Sequence, residues 1–218
     1  MSMTQNTIKP KMKIKVCGMR DKMNIEELSQ LPIDYIGYIF YPQSLRYVGE
    51  NPDEAIFKMV PSSIKKVGVF VNASLNEVIR IAETYKLEAI QLHGSEIADY
   101  CRAIKDKGFE VIKAFKAEPE TLTCETVAYR YACDYLLFDT PSPIHGGSGE
   151  RFDWEILRLQ KFTLPYFLSG GIGLDDTEKV KSIDLKGLYG VDINSKFETK
   201  PGIKDVKRVS DFIKRLNS

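Results

Sequence analysis

A chain of 218 residues with 43% hydrophobic and 28% charged side chains has the make-up of an ordinary globular protein, long enough for one α/β barrel. Its formal net charge of +1 leaves no electrostatic footprint for nucleic acid or an acidic membrane surface. No apolar run approaches the ~18 residues of a membrane span, and the cysteines and histidines lack metal-ligand spacing.

Residues 1–12, "MSMTQNTIKPKM", are polar and read as a short disordered tail rather than a secretory signal. Reduced, unpaired thiols in the cytoplasm are therefore expected. Residues 13–218 read as one domain. Its first strand candidate is "KIKVCGM" (13–19), where Ile14 and Val16 face one side and Lys13, Lys15 and Cys17 the other. Seven more β-rich runs follow: "YIGYIF" (35–40), "KVGVFV" (66–71), "AIQLHG" (89–94), "VIKAFKA" (111–117), "YLLFDT" (135–140), "PYFLSGGI" (165–172) and "LYGVDINS" (188–195).

Helical periodicity fills the gaps. "SLNEVIRIAETYK" (74–86) aligns Leu75, Val78, Ile79 and Ala82, with Ser74 and Glu77 set as a capping box. "SEIADYCRAIKDKG" (95–108) aligns Ile97, Tyr100, Cys101 and Ile104, with Ser95 as the expected cap and Gly108 as the stop. "GIKDVKRVSDFIKRL" (202–216) aligns Val206, Val209, Phe212 and Ile213. Cys124 and Cys133 are expected to flank another helix. Eight strands spaced on average about 25 residues apart suit repeated βα units. The predicted fold is a single (β/α)8 barrel of the TIM type. The alternative, an open doubly wound sheet, would need fewer strands and lacks its nucleotide fingerprint here.

In such a barrel, chemistry sits at the C-terminal ends of the strands. That rule selects Cys17, His93, Asp139, Asp192, Asn194 and Ser195 at strand ends, and Arg46 in the loop after the second strand. Gly170 and Gly171 follow the seventh strand, where barrels often bind phosphate through backbone N–H groups. On the residues alone, each has a plainer reading: Cys17 as a small buried hydrophobe, Asp139 as a turn former before Thr140-Pro141, Arg46 as a solvated loop charge, the glycines as tight turns. "HGGSGERFDW" (145–154) is too glycine-rich for a minimal connection and reads as a loop able to fold over a ligand.

Taken in order, "KIKVCGMRD", "YIGYIFYPQSLRYV", "VGVFVN", "IQLHG", "LLFDT…HGGSGERFDW", "FLSGGIG" and "GVDINSKFE…PGIKD" resemble the phosphoribosylanthranilate isomerases of tryptophan biosynthesis. The resemblance runs from about residue 13 to the C-terminus. It implies an Amadori rearrangement of N-(5-phosphoribosyl)anthranilate to 1-(2-carboxyphenylamino)-1-deoxyribulose 5-phosphate, without cofactor or metal. It implies Cys17 as general base, Asp139 as general acid, Arg46 on the anthranilate carboxylate, and Gly170, Gly171, Asn194 and Ser195 on the phosphate. His93, Gly147 and Asp192 are further substrate-site candidates. The implied protein is a cytoplasmic monomer or homodimer with a small phosphorylated partner and no nucleic-acid or membrane partner.

The chain departs from the family pattern in "NSKFE" after the eighth-strand aspartate and in "IGLDDTEKV" after "SGG", where Asp175 or Asp176 is available as a helix cap. Lys15 lies about 7 Å upstream of Cys17 on the same face. It can favour the thiolate or neutralise Asp139 or another interior carboxylate; spacing leaves both open. Competing classes are a phosphate-ligand binder on the same barrel and a thiol enzyme with Cys17 as nucleophile. The second needs a histidine beside the thiol, which His93 or His145 would have to supply. The related aminoaldose isomerases of histidine biosynthesis typically use two aspartates, so a cysteine on the first strand argues against them.

Overall fold

Eight parallel strands close on themselves in sequence order, β1 pairing with both β2 and β8. They are β1 Lys13–Val16, β2 Tyr35–Ile39, β3 Lys65–Phe70, β4 Ala89–Leu92, β5 Glu110–Lys116, β6 Tyr135–Asp139, β7 Tyr166–Leu168 and β8 Leu188–Ile193. The computed structural model describes residues 11–118, 122–140 and 153–218. The helices are α1 Lys22–Leu28, α2 Ala55–Lys58, α3 Leu75–Tyr85, α4 Ala98–Lys105, α5 Leu122–Val127, α6 Thr177–Ser182 and α7 Val206–Asn217. A 3-10 segment, Trp154–Leu159, precedes β7.

The strands alternate because the barrel has two apolar layers. Tyr35, Val67, Ala89, Ile112, Leu137 and Phe167 pack together as one cluster, with Tyr135 and Tyr189 against it. Alternate side chains of the same strands, such as Ile36, Ile90, Leu136 and Val191, join the larger cluster with Val78, Cys101 and Phe212 from the helices. Fully burying an aliphatic or aromatic side chain of this kind contributes roughly 1.5–3 kcal/mol. Between β2, α2 and α3, the rings of Phe40, Phe57, Phe70 and Tyr85 stack at centroid distances of 4.4–5.9 Å. The aromatic second strand is thus packing, as its composition suggests.

Local signals set some of the helix ends. Ser74 accepts the Glu77 N–H at 3.3 Å and caps α3, whose buried face is Val78, Ile81 and Ala82. Gly108, at φ +92°, follows the end of α4. Three expectations need correction. Ser95 does not cap α4: its N–H and hydroxyl both bond Asn72, and the helix starts beyond Ile97, which is 64% exposed. Cys124 lies inside α5 rather than beside it. The segment before α7 is not helical: β9 Glu198–Lys200 and β10 Ile203–Lys204 form an antiparallel hairpin, and Asp205 caps α7 through the Arg208 N–H. Gly202, at φ +84°, makes that reversal where a side chain would be strained. Among the described residues no helix is long and apolar enough to cross a membrane.

Candidate active site

The strand ends converge on one open pocket at the C-terminal mouth. Cys17, Arg46, His93, Asp139, Gly170, Gly171, Asp192, Asn194 and Ser195 all line it. Those are nine of the ten residues the sequence selects; Gly147 lies outside the described residues, as do His145 and most of the glycine-rich stretch.

Cys17 follows β1 directly. Its N–H bonds Ile193 O of β8 at 3.0 Å, and its side chain is 4% exposed. The sulfur occupies space that Gly37 of β2 leaves open: a methyl on Gly37 would stand 2.9 Å from Sγ. Lys15 is completely buried, and its Nζ donates to Asp192 Oδ1 at 2.9 Å. The Lys15 alternatives resolve in favour of an interior carboxylate, that of Asp192, while Lys15 also acts on the thiol. Burial pushes the Cys17 thiol up, and the Lys15 and Lys204 ammoniums oppose that rise without cancelling it. Burial works against the Lys15 ammonium, but Asp192 and Cys17 outweigh it and hold the lysine protonated.

Asp139 ends β6, with two strands between it and β1 in the ring. Its Oδ1 accepts the Thr140 N–H at 2.9 Å, and its Oδ2 lies 3.4 Å from His93 Nε2. Gln91, two residues before His93, sets its amide nitrogen 2.8 Å from His93 Nδ1. With the amide donating, Nδ1 is the acceptor and the ring proton sits on Nε2, facing Asp139. Gln91 Oε1 is buried with no partner among the described residues. His93 is therefore placed to orient the carboxyl. Among the described residues no contact links His93 to Cys17, and His145, the other histidine a thiol nucleophile could use, lies outside them.

Gly170 and Gly171 both have positive φ, +85° and +66°. A side chain on Gly170 would strike Thr140, with its N at 2.6 Å, and would reach Asp139 Oδ1 at 3.0 Å. The turn therefore needs glycine for both conformation and room. No acceptor among the described residues takes either N–H. Asp176 does not cap α6 by its side chain; it folds back to accept the Gly173 N–H at 2.9 Å.

On the other flank, Arg46 is 8% exposed and donates Nε and Nη2 to Glu198 at 2.9 and 2.7 Å. Lys204 Nζ donates to the same carboxylate at 2.6 Å and to Asn194 Oδ1 at 2.8 Å. The solvated-charge reading of Arg46 is therefore wrong. Sequence reasoning missed Gln91, Ser169, Tyr41 and Ser44 among the pocket residues. Gln91 carried a usable signal, a lone amide in an apolar strand; the others had none.

Residues 14–215 match the family described as N-(5'-phosphoribosyl)anthranilate (PRA) isomerase. The chain is 42% identical over 204 residues to the N-(5'-phosphoribosyl)anthranilate isomerase of Parabacteroides distasonis, covering 93% of this chain and 92% of that one. It is 40% identical over 203 residues to that of Phocaeicola vulgatus, covering 93% and 97%. Among solved structures, the phosphoribosyl anthranilate isomerase of Thermotoga maritima superposes with a TM-score of 0.85 at 31% identity, covering 94% of this chain and 98% of that one. Another is a phosphoribosyl anthranilate isomerase in complex with reduced 1-(o-carboxyphenylamino)-1-deoxyribulose 5-phosphate, with a TM-score of 0.80 at 28% identity and coverage of 94% and 98%. By sequence and by fold, the chain belongs to the N-(5'-phosphoribosyl)anthranilate isomerase family, aldose–ketose isomerases of tryptophan biosynthesis.

Proposed function

We propose that Cys17 and Asp139 are the general base and general acid of this isomerisation. The observation that carries the reading is their shared pocket, with thiol and carboxyl on strand ends separated around the ring and arginine and glycine sites on its flanks. Asp139 protonates the furanose ring oxygen. The C1–oxygen bond breaks, and the substrate nitrogen supplies the electrons to give an open-chain iminium. That cation acidifies the C2 hydrogen, which the Cys17 sulfur removes to give the enolamine. Reprotonation at C1 and loss of the C2 hydroxyl proton complete the aminoketose. Each proton transfer by a positioned group contributes about 10²–10⁴ in rate.

Burial favours the neutral thiol and makes its thiolate a strong base once formed. The iminium and Lys15 both favour that thiolate at the moment it is needed. The Gly170-Gly171 turn and the Asn194-Ser195 turn bind the phosphate mainly through backbone N–H groups. Asn194 serves by its backbone there because Lys204 holds its side-chain oxygen. Arg46 receives the anthranilate carboxylate. His93 orients Asp139, and Asp192 anchors Lys15 under the thiol. The protein works in the cytoplasm as a monomer or homodimer.

The test follows N-(5-phosphoribosyl)anthranilate, generated in place, by the loss of its fluorescence. Wild type is expected to turn over, and Cys17→Ser and Asp139→Asn to lose on the order of 10²–10⁴ in kcat. Full activity in both variants would refute the two roles; substrate binding without wild-type turnover would make the chain a binder.

A further inference from the structure

We infer that Glu198 is a positioning residue for substrate recognition: it fixes one edge of the Arg46 guanidinium so that the other edge meets the substrate carboxylate. This rests on the reading that Arg46 receives that carboxylate. Glu198 itself is not free to meet a ligand. Its Oε1 accepts Arg46 Nε at 2.9 Å, Lys204 Nζ at 2.6 Å and the Gly202 N–H at 3.0 Å. Its Oε2 accepts Arg46 Nη2 at 2.7 Å, and the side chain is 5% exposed. Burial raises this carboxyl, but Arg46, Lys204 and the Gly202 N–H together hold it below the ordinary carboxylate range. A saturated, buried anion of this kind neither exchanges protons in the reaction nor binds a cation from solution.

Arg46 is half used. A guanidinium carries five N–H donors in a rigid planar fork. Nε and one donor of Nη2 go to Glu198. Among the described residues nothing accepts from Nη1, and the residue lines the pocket. The remaining edge, Nη1 with the outer donor of Nη2, has the geometry that takes a planar carboxylate with two parallel bonds. The stem has no freedom to turn away. It crosses Gly18, where a Cβ would stand 2.7 Å from Arg46 Cδ, and Gly18 is the residue after Cys17. The stem thus runs against the residue that follows Cys17.

The hairpin that carries Glu198 is held in turn. Asn24 of α1 reads the Lys204 backbone with both ends of its amide, at 2.8 Å to the carbonyl and 2.7 Å from the N–H. Of the three charged side chains, Arg46 lines the pocket, while Glu198 and Lys204 stand buried behind it. Without Glu198, Arg46 and Lys204 would repel each other in a buried space, and the fork would lose its registration.

Calorimetric titration with two ligands tests this. One is reduced 1-(o-carboxyphenylamino)-1-deoxyribulose 5-phosphate; the other is the same compound without the ring carboxyl. Wild type is expected to prefer the first, and Arg46→Ala to erase the preference. Glu198→Ala should cut the preference by about tenfold or more while binding the second ligand as wild type does. Glu198→Gln, which keeps one acceptor and the same shape, should lose part of it and raise KM more than it lowers kcat. Equal weakening of both ligands, or an unchanged preference in both Glu198 variants while Arg46→Ala erases it, would overturn the inference and leave the role of Arg46 standing. Preference retained by Arg46→Ala would overturn both.

Discussion

Replacing Gly37 by alanine probes the seat of the sulfur without touching the sulfur. The added methyl would meet Cys17 Sγ at 2.9 Å, its Cα at 3.2 Å and its Cβ at 3.4 Å. Ordinary carbon contacts begin at about 3.5 Å, so the thiol and its strand end must retreat by about half an ångström or more. Overpacking of this kind costs about 1–3 kcal/mol of stability, which in a chain of this size lowers Tm by roughly 2–4 °C per kcal/mol. Misplacing a reacting group by 1 Å can cost about 10² in rate. Gly68→Ala is the matched control. Its methyl would meet Leu87 Cδ1 and Phe70 Cε2, both at 2.7 Å, away from the pocket. Both variants should melt earlier, by circular dichroism. Gly37→Ala alone should lose about 10–100-fold in kcat. Full kcat in Gly37→Ala would refute the claim that the thiol acts from the position seen here.

Lys15→Met leaves Asp192 buried without its ammonium and should cost about 3–5 kcal/mol in urea unfolding. If the fold survives, alkylation of Cys17 should shift to higher pH, because Lys15 is the larger of the two cationic influences holding the thiol down. For wild type, the raised thiol means that alkylation of Cys17 in the free enzyme has its pH midpoint above the ordinary thiol range, and a midpoint at or below that range would contradict it. Glu198 has the opposite sign. Its carboxyl is depressed on folding, so its contribution to stability is present above the ordinary carboxylate value and lost as pH falls through the lower folded one. Acid unfolding of Glu198→Gln should therefore be less steep below about pH 4 than that of wild type.

Each apolar run marked a strand because every strand of a closed parallel barrel is buried on both faces. The predicted runs overshot mainly at their C-terminal ends. "PYFLSGGI" shrank to Tyr166–Leu168 and "AIQLHG" to Ala89–Leu92, since Ser169-Gly170-Gly171 and His93-Gly94 that follow are turn residues where the backbone has left the ladder. Cys17, Asp139 and the glycines were legible through the rule that barrel chemistry sits at strand ends. The Glu198 hairpin was not. "ETKPGIK" has no alternation to mark a strand, and Gly202 reads equally as a helix start. Nothing in a linear reading joins Arg46 to a glutamate 152 residues away. The partner of Lys15 was likewise ambiguous, because spacing along β1 says nothing about which carboxylate β8 or β6 brings opposite it.

The most direct measurement is a crystal structure of this chain with reduced 1-(o-carboxyphenylamino)-1-deoxyribulose 5-phosphate bound. The account predicts the Cys17 sulfur and the Asp139 carboxyl on opposite sides of the sugar chain, each within about 3–3.5 Å of a reacting atom. It also predicts the phosphate on the turns of Gly170-Gly171 and Asn194-Ser195, and the ring carboxylate on the free edge of Arg46. A ligand bound the other way round, or with either group out of reach of C1, C2 and the ring oxygen position, would contradict it.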